Sequence, residues 1–153
     1  MTAQELADRW YMALTMWGEA RGAGPEAMSW VGWVIRNRRD DPRHRWPRTI
    51  PEVVTQSAMS GGRRVYQFAC WDPADPNGPK LRHPLGQSRP DQAAFLKALE
   101  LADRILTAPA TENPLPGVYW YVDHTIRPPR WTQGLVEVEP PGGRSPFRFY
   151  REP

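Results

Sequence analysis

Glu19 is the residue in this chain best placed for acid–base chemistry. It stands in Trp17-Gly18-Glu19-Ala20-Arg21-Gly22, where an amphipathic segment gives way to glycine-rich chain. A carboxyl group at the end of a rigid helix can be aimed, and a neighbour such as Trp17 can desolvate it and raise its pKa toward the range of a general acid. The same six residues also suit a solvated carboxylate with Arg21 as a surface partner, and they do not choose between the two. Trp120 and Trp131 offer rings that stack on the apolar faces of sugars or bases, although such rings more often serve as core or loop anchors. Cys70 with His83 or His124 is a second candidate for catalysis. It sits between Ala69 and Trp71 with no glycine elbow or helix N-terminus to lower its pKa, so burial as a small inert hydrophobe is expected. His44, His83 and His124 lie far apart and show no zinc-ligand spacing, so neither a metal nor a cofactor is expected.

These groups need elements to hold them. Thr2-Ala3-Gln4-Glu5 reads as a capping box, and Leu6, Trp10, Ala13, Leu14 and Trp17 recur at helical spacing as a core stripe that delivers Glu19 to one side of the domain. Gly22-Ala23-Gly24 breaks that helix. Pro25 opens a second, with Ala27, Met28, Val31, Val34 and Ile35 on its buried face. Asp40 to Arg48 reads as a loop. Thr49-Ile50-Pro51-Glu52 is a second capping box, starting a short helix that runs to Gln56 and is ended by Ser60-Gly61-Gly62. Dense turn chemistry from Asp72 to Pro79 makes the stretch up to Arg89 irregular or a small hairpin. A further helix is expected from Asp91 as N-cap to Thr107, burying Phe95, Ala98, Leu99, Ala102, Ile105 and Leu106. Val118–Val122, Leu135–Val138 and Phe147–Tyr150 have strong β-propensity. The sum is an α+β domain, mainly α, spanning residues 1–153 with a small late β-region.

A chain of 153 residues can bury a real core without disulfides, and its single cysteine could form none internally. The net charge of +3 rests almost wholly on arginine, with Lys80 and Lys97 the only lysines. That balance attracts polyanions without choosing among nucleic acid and cell-wall polymers. The short clusters Arg36-Asn37-Arg38-Arg39 and Arg63-Arg64 read as solvated basic surface, and no nucleic-acid-binding word accompanies them, so no nucleic-acid partner is expected. Eight tryptophans and eighteen prolines suit a groove with well-defined extended loops. The N-terminus has no basic and apolar leader, and no run approaches membrane-spanning length. The expectation is a protein made in the cytoplasm without a signal peptide and without an integral membrane segment.

Four words in order carry a resemblance. They are Leu14-Thr15-Met16-Trp17-Gly18-Glu19-Ala20-Arg21-Gly22, Val31-Gly32-Trp33-Val34-Ile35-Arg36-Asn37-Arg38, Trp46-Pro47-Arg48-Thr49-Ile50-Pro51-Glu52-Val53-Val54 and Tyr66-Gln67-Phe68. With Gly117–Tyr121, Pro129-Arg130-Trp131 and Phe149-Tyr150, they make the chain from Leu14 to Tyr150 resemble the SleB-type cell-wall hydrolase family. The resemblance implies a lysozyme-like fold. It also implies cleavage of the β-1,4 bond between N-acetylmuramic acid and N-acetylglucosamine in peptidoglycan glycan strands, commonly as a lytic transglycosylase.

The family's catalytic glutamate falls on Glu19, and its Gln-Phe pair in the groove falls on Gln67 and Phe68. Gln67 is assigned to an N-acetyl or hydroxyl group. Of Tyr119 and Tyr121, Tyr121 is assigned to the site because the family carries an aromatic there; Tyr119, Trp120 and Trp131 are further candidates for sugar contact. Hydrolysis by the usual glycosidase scheme needs two carboxyl groups, whereas a transglycosylase needs one, and no second acid in a comparably constrained setting is evident. Two departures stand out. Asp123 replaces the family's Asn and keeps a hydrolytic muramidase open as an alternative. Phe147 replaces a His and removes a polar group. A wall-binding or virion structural protein without activity is the other alternative. The absent leader and absent wall-binding repeats suggest a phage or prophage lysis enzyme, reaching the wall in the periplasm after holin-dependent release.

Overall fold

The first capping box forms as its residues dictate. In the computed structural model, which describes residues 1–153, the Thr2 hydroxyl accepts from the Glu5 amide at 3.1 Å and the Glu5 carboxylate from the Thr2 amide at 2.9 Å. They open α1 (Ala3–Ala20), the helix that carries Glu19. From Met12 to Gly18 this helix is buried all round, so it runs through the middle of the domain. Its first turns do not: Leu6 is 58% and Trp10 37% exposed, and the expected core stripe therefore begins only at Met12. There the helix outruns the body it packs on, and Trp10 leans edge-on against Phe95 with ring centroids 5.2 Å apart.

Gly24, at φ +97°, makes the corner before α2 (Pro25–Arg39), and α3 (Ile50–Thr55) and α4 (Arg89–Thr107) complete the helical body. The N-cap of α4 is Ser88, not Asp91. Pro90 fits the first turn, so the helix starts earlier, with the Ser88 hydroxyl accepting from the Asp91 amide at 3.4 Å. Leu101 joins Phe95, Ala98, Ala102 and Ile105 in the core, while Leu99 and Leu106 are only partly buried at its edge.

Two glycines let the helices meet closely. A Cβ on Gly18 would lie 2.8 Å from Cys70 Cβ and 3.1 Å from Leu81 Cδ2. One on Gly32 would lie 2.6 Å from Ile105 Cδ1 and 2.8 Å from Met16 Sδ. The second pair of atoms are tips of flexible side chains and can yield, whereas Cys70 Cβ is fixed to backbone. Gly18→Ala is therefore expected to cost about 1–3 kcal/mol of overpacking, offset by about 1 kcal/mol of helix preference. Thermal unfolding should show a larger drop for Gly18→Ala than for Gly32→Ala.

After α3 the chain departs from expectation. Ser57–Ser60 (β1) and Arg63–Tyr66 (β2) form an antiparallel hairpin, and Ser60-Gly61-Gly62 is its turn, not a helix stop. Gly61 and Gly62 have φ of +58° and +80°, the two positive values that a two-residue hairpin turn requires. The short helix ends at Thr55, before Gln56. Ala69 to Gly86 then folds as a series of 3₁₀ turns with no hairpin. The late β-region is a three-stranded antiparallel sheet of β3 (Val118–Asp123), β4 (Val136–Val138) and β5 (Phe147–Arg151), with β5 in the centre. The fold is α+β and mainly α.

The run Arg36-Asn37-Arg38 corrects the expectation of solvated basic surface. Arg36 Nη1 donates to the carbonyls of Ile105 and Ala108 at 2.6 and 2.7 Å, closing the C-terminal end of α4. Buried Asn37 donates to the carbonyls of Leu115 and Val118, both at 2.9 Å, and accepts from Asn113 at 2.7 Å. Arg38 Nε donates to the Tyr119 carbonyl at 2.8 Å. Three successive residues of α2 thus tie α4 and the start of β3 to the core, and β3 delivers Tyr121.

Candidate active site

The two ends of the construction meet at one hydrogen bond: Tyr121 Oη donates to Glu19 Oε1 at 3.0 Å. α1 supplies the carboxyl and β3 the phenol, from positions 102 residues apart. The Tyr121 ring is clamped by Phe147, Phe149 and Phe68 at centroid distances of 4.8, 6.0 and 6.4 Å, which fixes where its hydroxyl points. Glu19 lines a depression of about 320 Å³ with Gly18, Arg21, Gly22, Asn77 and Asp91. Tyr121 borders a larger cleft of about 640 Å³, so the pair spans from one to the other.

Burial raises the Glu19 carboxyl from an ordinary 4.5 to about 7; the Tyr121 hydrogen bond pulls the other way, and the nearby Asp75 charge adds to the rise. Such a group holds its proton near neutrality yet can release it, as a general acid must. Arg21 does not neutralise it, because its guanidinium pairs with Asp91 at 3.4 Å and lies 4.7 Å over the Trp17 ring. Trp17 is not the desolvating neighbour that its position in sequence suggests. It faces α4, donating Nε1 to the Asp91 carbonyl at 2.8 Å and meeting Phe95 edge-on.

Tyr66, Gln67, Trp120 and Trp131 line the larger cleft with Arg38, Leu135 and Glu152. Gln67, Trp120 and Trp131 are thus brought to one place, and Trp131, 48% exposed, meets Tyr150 edge-on with ring centroids 6.1 Å apart. Phe68 does not reach the cleft: it is 1% exposed and belongs to the core beneath Tyr121. Tyr119 lies outside the cleft as well, stacked on Trp46 at 4.9 Å with its hydroxyl 3.4 Å from Asp41 Oδ1. Asp123 is exposed at the end of β3, accepting from the Thr125 amide and hydroxyl at 2.8 and 2.6 Å, bonds that lower its pKa. The carboxylate whose charge acts on Glu19 is Asp75, which nothing in the sequence marked.

Two other acids are spoken for. Asp41 is 1% exposed; burial would raise it, but hydrogen bonds from Arg45 and from the amides of Arg43 and Arg45 hold it ionised at about 2. Glu152 is paired with both Arg43 and Arg45. The Cys70 thiol is buried and pushed far above its ordinary pKa by that burial and by the charges of Glu19 and Asp75, which removes it as a nucleophile.

Arg38, Tyr66, Leu135 and Glu152 were missed as lining residues. Arg38 carried the clearest available signal, a basic residue between Asn37 and Arg39 on a helix whose other face is apolar, and that signal fits a surface residue equally well. No helix is long and apolar enough to cross a membrane.

No curated protein and no solved structure matches the chain. A family model described as Cell Wall Hydrolase does, over residues 22–140, a stretch that begins just past Glu19 and takes in Arg38, Gln67, Trp120, Tyr121 and Trp131. Because that match spans most of the 153 residues, the chain belongs to the Cell Wall Hydrolase family and is a peptidoglycan-cleaving enzyme.

Proposed function

We propose that the protein is a lytic transglycosylase, cleaving the β-1,4 bond from N-acetylmuramic acid to N-acetylglucosamine with Glu19 as its single acid and base. The observation that carries this is the Glu19 carboxyl itself, raised to about 7 and hydrogen-bonded to a fixed phenol at the edge of an aromatic cleft. Glu19 protonates the glycosidic oxygen as the bond from muramic C1 breaks. The muramic C6 hydroxyl attacks C1, forming the new C1–O6 bond, and returns its proton to Glu19. Tyr121 donates to the carboxylate while it is ionised, the moment when that hydrogen bond is strongest. Within the larger cleft the carboxylate is Glu152, already neutralised by two arginines, which supports a route that needs no second acid.

Asp75 favours one second reading. Its charge is felt at Glu19, which makes it, ahead of the exposed Asp123, the acid to test in a hydrolytic muramidase that activates water. Mass spectrometry of fragments released from purified peptidoglycan separates the two. Ends in 1,6-anhydro-muramic acid support the transglycosylase; reducing muramic ends overturn it and make Asp75 the first residue to replace.

Tyr121→Phe tests the hydrogen bond. The phenol lowers the Glu19 pKa, so its loss should move the fall in activity to higher pH by about half a unit to one unit. Release below pH 6 should drop about tenfold, because the departing proton leaves a less stabilised carboxylate. The pH profile of fragment release reads both effects.

A further inference from the structure

Arg38 is a charged side chain buried without a countercharge. It is 5% exposed, its guanidinium lies 5.3 Å over Trp46 and 5.2 Å over Phe68, and its hydrogen bonds go to neutral oxygens of Tyr119 and Gln67. No carboxylate of the chain lies within ion-pair distance of it, although ten arginine or lysine ion pairs form elsewhere. Burying a guanidinium in this way is costly unless something compensates it. Its Nη2 donates to no group of the protein. Gln56 Oε1 is the one buried side-chain atom left without a partner, so Arg38 Nη2 must still be reachable, and the opening it borders is the larger cleft.

Gln67 is set by the same contact. Arg38 Nη1 donates to Gln67 Oε1 at 3.3 Å, and because arginine offers only donors the amide oxygen must be the atom that faces it. The Gln67 NH₂ is left as a pair of free donors at the cleft. Arg38 and Gln67 together make a pole rich in hydrogen-bond donors, with one lone pair of the Gln67 oxygen already taken by Arg38. Glu152, the acid on the same cleft, does not fill it, being held by Arg43 and Arg45. Trp120 and Trp131 flank the pole; the Arg45 guanidinium lies 5.7 Å over the Trp120 ring, which leaves the exposed Trp131 as the ring more open to a sugar.

We infer that Arg38 and Gln67 form a carboxylate-binding subsite in this cleft, which grips an acidic group of the substrate strand while the aromatic walls hold the sugar. This rests on the proposed glycan substrate and adds what the enzyme reads on it. Two groups supply that chemistry: the carboxylates of the peptide stem, and the lactyl carboxylate of muramic acid where the stem has been removed. A planar guanidinium and an amide NH₂ side by side fit the two oxygens of either.

Binding, not turnover, is the test, so that it stands apart from the glycosidase reading. Glu19→Gln protein is titrated calorimetrically with soluble glycan oligomers that carry stems and with oligomers stripped by an amidase, each before and after conversion of its carboxylates to neutral amides. Neutralising the recognised carboxylate should weaken binding about tenfold or more. Loss on amidating the stemmed oligomer assigns the stem; loss on amidating the stripped oligomer assigns the lactyl group. Gln67→Glu, added at this exposed position, fills the pole from within and should bring both ratios to about one. Arg38→Lys keeps the charge but not the fork, and should reduce the dominant ratio.

Equal affinity for charged and amidated oligomers, no binding of any, or a ratio unchanged by Gln67→Glu would overturn the subsite. Fragment release by the wild-type protein together with carboxylate-blind binding would leave the glycosidase standing and remove only this assignment.

Discussion

Glu19→Gln is expected to lower fragment release from purified peptidoglycan between about 100- and 10,000-fold, the contribution of a positioned general acid. The substitution keeps the shape of the side chain and an oxygen for Tyr121, and removes the transferable proton. The same change should stabilise the fold. The folded protein binds the Glu19 proton more tightly than the unfolded chain, since its pKa rises from 4.5 to about 7. The stability that this gives is fully present below pH 4.5 and is lost as pH rises through 7, where an ionised carboxylate must stay partly buried. Glutamine carries no such dependence. Melting temperatures should therefore be similar at about pH 4 and favour Glu19→Gln by about 2–6 °C at about pH 8.5. Loss of activity with a gain in stability separates a catalytic role from a structural one.

Asn37→Leu is expected to be the most damaging single change to the scaffold. Leucine matches the volume but removes three hydrogen bonds of 2.7–2.9 Å, those to the carbonyls of Leu115 and Val118 and the one from the Asn113 amide, although the Leu115 carbonyl keeps the Val118 amide at 3.1 Å. The loss of three hydrogen bonds around a buried position should cost about 3–5 kcal/mol, a drop of about 10 °C or more in melting temperature. Because the same side chain anchors the entry to β3, Tyr121 should lose its registry before the whole fold melts. Near-ultraviolet circular dichroism should then change at a lower temperature than the far-ultraviolet signal.

Much of the helical scaffold was legible because its signals are local. The capping box at Thr2 and the corner at Gly24-Pro25 are decided by neighbouring residues and formed as read. The errors came from local signals with two meanings. Gly61-Gly62 stops a helix as readily as it turns a hairpin, and the flanking polar strands gave no apolar period to decide between them. Ser88 and Asp91 are both good N-caps, and Pro90 between them favours the earlier start.

At the site, Gln67, Trp120 and Trp131 do line one cleft, and Tyr121 does meet Glu19. Phe68 and Tyr119 were misjudged because an aromatic residue is equally at home in a groove and in the core under it. Arg38 and Asp75 were out of reach for another reason. What makes Arg38 unusual is the carboxylate that is not beside it, and what makes Asp75 matter is its nearness to Glu19 across 56 positions of chain. Neither is a property of spacing.

The most direct measurement is the titration of the Glu19 side-chain carboxyl, followed by NMR on protein carrying carbon-labelled glutamate and assigned with Glu19→Gln, beside the pH dependence of fragment release. The expected result is a midpoint near 7 that coincides with the fall in release as the acid loses its proton. A Glu19 midpoint near the ordinary 4.5, or release that continues unchanged well above pH 7, would contradict acid catalysis by this residue.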